Sequence, residues 1–186
     1  MTIERPAIIA SGLPDLGIYA ACLASYNSGT LHGCWIDLSG VTDAAEINEA
    51  IQWMLQQSPA AGAEEYAIHD SSGLPSFLRS TEWPDLSDLA QYAETLLEIG
   101  DSDAEPYRLA CDNDSEVITE ERFRECYCGH YESGEDYAEQ FHEDCGTDLG
   151  PLASYIDWES VWRDYSIDGH WQEPAADGGV YIFRSY

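Results

Sequence analysis

Two short apolar or aromatic runs, Gly17 to Ala24 and Leu31 to Leu38, flank Ser25-Tyr26-Asn27-Ser28-Gly29-Thr30, whose Asn, Ser and Gly are turn formers. This pattern predicts a β-hairpin. From about Asp43 the apolar residues Ile47, Ala50, Ile51, Met54 and Leu55 recur at helical spacing, with Asp43 and Glu46 placed as a capping pair. Pro59 and Gly62 end that helix, and Glu65 to His69 then offers a third strand, which closes a small α+β unit over residues 17 to 78. Residues 1 to 16 hold Pro6, Gly12 and Pro14 with little pattern and read as a loose N-terminal extension.

Helical spacing returns at Leu86, Leu89, Ala90, Ala93, Leu96 and Leu97, predicting a helix from Asp85 to Ile99 with Gly100 just past its end. Two shorter helices, Glu105 to Ala110 and Thr119 to Tyr127, complete a helical middle region over residues 79 to 126. Ser133 is placed to cap a further helix that Gly146 stops. Tyr137, Phe141 and Cys145 fall on one of its faces, and Glu135, Glu139 and Glu143 on another. The last segment predicts a short helix burying Trp158, Val161, Trp162 and Tyr165. Strands at Gly169 to Gln172 and Gly179 to Arg184 follow, joined through Ala176-Asp177-Gly178. The predicted fold class is α+β: an elongated three-domain chain in which small α+β domains at residues 17 to 78 and 127 to 186 flank a helical middle.

Charge changes this picture most. Across 186 residues, 36 Asp and Glu oppose seven arginines and no lysine, a net of −29. With 44% hydrophobic residues, and with 12 Tyr, 6 Trp and 4 Phe, the chain has enough apolar material for folded cores, so the charge rides on structure and not on a disordered tail. Such a surface repels nucleic acid and anionic membranes, and its partner is expected to be basic. A solubilising coat or adaptation to high salt also enriches carboxylates. Against an even coat, residues 82 to 148 hold 21 acids and three arginines, a net of −18. No apolar run of 18 residues and no leader pattern is present, which predicts a soluble cytoplasmic protein. Nothing marks secretion, so the six cysteines are expected to be reduced.

Candidate chemistry is sparse. Cys126, Cys128, His130, His142 and Cys145 are zinc-type ligands, but one residue between paired cysteines departs from the usual spacing of two to four. The plainer reading packs Cys126 or Cys128 as a small apolar residue at a helix end. Asp112-Asn113-Asp114-Ser115-Glu116 has calcium-type oxygens without the glycine and closing glutamate of an EF-hand loop. His69 has no nucleophile elbow, and no phosphate loop or dinucleotide fingerprint occurs. The expectation is no catalytic residue, no metal and no cofactor, with the charge array itself as the active feature. Its carboxylates are Glu94, Glu98, Asp101, Asp103, Glu105, Asp112, Asp114, Glu116, Glu120, Glu121, Glu125, Glu132, Glu135, Asp136, Glu139, Glu143, Asp144 and Asp148. Duplex DNA carries about one charge per 1.7 Å of axis, so 29 charges match roughly 50 Å of duplex. A compact sphere of this length would be only about 40 Å across, and matching DNA therefore calls for elongation.

Spaced blocks add a resemblance. Ile18 to Gly29, Leu31 to Asp37 and Glu64 to Asp70 are similar to the opening of the ArdA antirestriction proteins. Tyr127 to Tyr131, Asp136 to Glu139 and Leu152 to Trp158 resemble that family's third domain. Cys34 departs from the basic residue expected after Gly33. The resemblance implies a three-domain elongated homodimer that mimics bent B-form DNA and occupies the DNA groove of type I restriction-modification enzymes. It also implies pairing through the last domain, with Tyr155, Trp158 and Trp162 as interface candidates. Two other readings remain: an acidic interaction module or chaperone for another basic DNA-binding protein, and a metal-dependent enzyme.

Overall fold

A computed structural model describes residues 4–146 and 149–185. Its contacts gather into two units, one ending at Thr119 and one running from Glu120. Both are mixed α and β with a small antiparallel sheet.

In the first unit β1 (Gly17–Cys22) is the central strand, paired antiparallel with β2 (Gly33–Asp37) on one side and β3 (Tyr66–Ser72) on the other. The predicted hairpin pairing is present, but its connection is not a tight turn. A short helix α1 (Leu23–Asn27) fills it, because Ser25 is buried and its hydroxyl lies 2.8 Å from Ser58 Oγ, which draws the chain inward. Helix α2 (Ala44–Gln56) starts where the Ala45 N–H donates to the Asp43 carboxylate at 2.8 Å. Ile47, Ala50, Ile51, Met54 and Leu55 are all buried against the sheet and α4 (Leu86–Ile99). The short α3 (Ser76–Arg79) precedes α4, and a 3-10 turn at Asp101–Asp103 leads into α5 (Ala104–Asp114), longer at both ends than its apolar spacing predicts.

Two expectations are corrected here. The N-terminal stretch is not loose: Ala10 N–H donates to Trp35 O, Asp37 N–H donates to Ile8 O, and the Ser72 hydroxyl donates to Pro14 O at 2.7 Å. Ile9 is buried as a result, since the edge of β2 would otherwise leave its backbone groups unpaired. In α4, Leu89, Ala90 and Ala93 are buried as the spacing predicts, but Leu97 is 57% exposed while Tyr92, Thr95 and Ile99 are buried.

The second unit begins with α6 (Glu120–Cys126) and β4 (Tyr127–Tyr131). Helix α7 (Gly134–Asp144), a 3-10 turn at Gly150–Tyr155, α8 (Trp158–Ile167), β5 (His170–Pro174) and β6 (Val180–Arg184) follow. Its sheet order is β4-β6-β5, with Tyr181, Ile182 and Phe183 of β6 buried at the centre. The predicted helix to Tyr127 stops one residue earlier, because Tyr127 pairs with Phe183 and its ring stacks on Phe123 at 5.1 Å. Gly129, at φ 126°, absorbs the bulge in that pairing. On α7, Asp136 N–H donates to Ser133 Oγ as the cap requires. Only Tyr137 of the predicted apolar face is buried: Phe141 is 41% exposed, although its ring meets that of Tyr165 edge-on, and Cys145 is exposed. Trp158, Val161, Trp162 and Tyr165 of α8 are half-buried.

Candidate interaction surface

No carboxylate of the predicted array is buried among the described residues; Asp148 lies outside them. In the first unit Glu94 and Glu98 are both exposed on α4. A separation of four residues sets them about 6 Å apart along the axis. Asp101 is exposed, Asp103 and Glu105 half-exposed, and Asp114 and Glu116 follow at the end of α5. Asp112 is different in kind. Arg108 Nη1 approaches its carboxylate at 2.9 Å, and the Ser76 N–H donates to the same group, so its charge is spent on joining α5 to the start of α3.

In the second unit Glu120 and Glu121 lie in the first turn of α6, and Glu135 and Asp136 in the first turn of α7. A negative charge there stabilises the helix by about 0.3–1 kcal/mol, so these four have a local reason to be acidic. Hydrogen bonds from Ser133 and from its own backbone hold Glu135 below the usual carboxylate range. Glu120 also lies 3.6 Å from Arg124. Glu143 and Asp144 have no such reason. They stand in the last turn of α7, as Glu98 does in α4, where the helix dipole opposes negative charge. The remaining members, Glu125, Glu132 and Glu139, are exposed or half-exposed.

The other candidates are absorbed by structure. Cys126 is buried and its thiol donates to Phe123 O, while Cys128 donates to Cys126 O. Burial pushes the Cys34 and Cys111 thiols up to about 11, which keeps them protonated and poorly nucleophilic. His69 packs edge-on against Tyr26. Among the described residues no three His, Cys, Asp or Glu side chains gather as metal ligands, and no helix is long and apolar enough to cross a membrane.

Residues 18–179 match the family of the antirestriction protein ArdA. The chain belongs to the ArdA family. No curated protein matches it in sequence. Membership implies an antirestriction function and, through it, a restriction-modification enzyme as partner. The match runs from β1 to the β5–β6 connection and so spans both acidic helical stretches.

Acids outside residues 82 to 148 are exposed on helices as well. Glu46 and Glu49 on α2, and Glu159 and Asp164 on α8, are as exposed as those within it. Local charge density passed over them, although helical periodicity places all four away from the buried stripes. The three aromatic interface candidates divide. Tyr155 is 85% exposed, Trp158 is half-buried, and Trp162 packs within the chain, its ring filling the space above Gly134.

Proposed function

We propose that this ArdA protein is a DNA mimic that occupies the DNA-binding groove of type I restriction-modification enzymes and excludes real DNA. One observation carries the reading: Glu98, Glu143 and Asp144 are kept exposed at helix C-terminal ends, where each costs its own helix stability. Selection for helix stability alone would place acids at N-terminal ends. Charges retained against the local gradient are explained by a partner that uses them. In this reading the chain forms a homodimer through its last domain, so that the charged surface is doubled.

The test is competition. Purified protein is expected to displace a labelled duplex from a type I enzyme at near-stoichiometric dose and to leave a type II enzyme unaffected. Undiminished duplex binding at large excess would refute mimicry, and equal affinity for unrelated basic proteins would favour a general acidic module.

A further inference from the structure

We infer that the first unit also carries an apolar anchor site inside its acidic surface, which receives one apolar side chain from a basic segment of the enzyme it inhibits. The inference rests on the mimicry reading and gives it a component that DNA itself lacks.

The site is a hollow of about 470 Å³ whose apolar lining includes Leu16, Tyr92, Leu96 and, at its open side, the exposed Leu97. That volume lies within the range of pockets that hold small ligands and suffices for a large apolar or aromatic side chain. Asp15, Asp101 and Glu105 stand on its rim. Arg108 lines it too, but its guanidinium is engaged with Asp112 at 2.9 Å, and among the described residues no cation pairs with Asp15 or Asp101. An apolar floor inside an acidic rim fits an apolar side chain flanked by Lys or Arg, which is what a DNA-binding surface offers between its phosphate contacts.

The floor is preformed. Tyr92 is buried, stacks on Tyr107 at 5.3 Å, and donates its hydroxyl to Gly73 O at 3.2 Å, which ties α4 to the exit of β3. Leu97 is the member left open, 57% exposed although it belongs to the helix's apolar stripe. A single exposed leucine is ordinary, but one set beside Leu96 at the mouth of a hollow presents a contact surface. Apolar contact is not screened by salt, whereas carboxylate–cation contact is. Binding is therefore expected to keep a salt-resistant remainder.

The experiment measures displacement of a labelled duplex from a type I enzyme at about 0.1 M and about 0.5 M salt, with the wild-type chain, L97D, L97S and L31D. Leu31 is 70% exposed in the same unit and does not line the hollow. L97D adds a negative charge, so mimicry by charge alone predicts equal or tighter binding. The anchor predicts roughly tenfold weaker binding at both salts, a similar loss for L97S, and little change for L31D. Wild-type affinity retained by both Leu97 variants, or an equal loss in L31D, would overturn the anchor and leave mimicry intact. Failure of the wild-type chain to displace DNA at either salt would overturn mimicry, and the anchor with it.

Discussion

A single glycine decides how closely α7 and α8 approach. A Cβ at Gly134 would lie 2.2 Å from the Trp162 ring, so only a hydrogen fits. Gly134→Ala is expected to destabilise the second unit by about 1–3 kcal/mol through overpacking, read as a lower denaturant midpoint with a shift in tryptophan emission. The sequence marks Trp162 as apolar, but its partner lies 28 residues earlier on another helix, and periodicity carries no such pairing. His170 is a second case. Burial, helped by nearby Arg184, holds its imidazole below the ordinary histidine value. The unfolded chain therefore takes up this proton more readily than the folded one, and stability is complete above the unfolded value of about 6.5. It falls as pH drops from there toward the lower folded value. Melting curves between pH 8 and pH 5 are expected to show this loss, and His170→Gln to reduce it.

At the scale of elements, the acids at helix C-terminal ends make stability and function pull apart. Removing the charge of Glu98 or Glu143 relieves an unfavourable interaction with the dipole, so E98Q and E143Q are each expected to stabilise the chain by about 0.3–1 kcal/mol at low salt. Each alone is expected to change inhibition less than about twofold, because an exposed carboxylate contributes little by itself. Combined they are expected to weaken inhibition while the protein melts higher, and a double variant that melts higher and inhibits undiminished would remove the argument for mimicry. Elements were also where the sequence was most legible. The stripe on α2 is buried as read, because a helix stripe needs only local spacing. Strand β4 is not legible in the sequence, because it exists only through pairing with β6 some 49 to 56 residues on, and its Cys-Gly-His run has no strand alternation. The hollow under Leu97 was hidden for a similar reason. Spacing identifies the apolar sector of α4 but not how much of it the neighbouring segments cover, and they cover Tyr92, Thr95 and Ile99 instead.

For the whole molecule, one net charge of −29 acts in two directions, and salt separates them. Within the chain only seven arginines face 36 carboxylates, so most carboxylates repel one another across each unit. Screening that repulsion stabilises the compact state, because self-repulsion opposes folding and the Debye length shrinks from about 10 Å at 0.1 M to about 3 Å at 1 M salt. The melting temperature is therefore expected to rise as salt is added. The attraction to a basic groove is screened by the same ions, so inhibition is expected to fall over the same range. Opposite slopes from one titration are the signature of charge that serves a partner at the expense of the fold. A solubilising coat would give the first slope without the second. Melting and duplex displacement measured on the same samples across the salt series decide between the two.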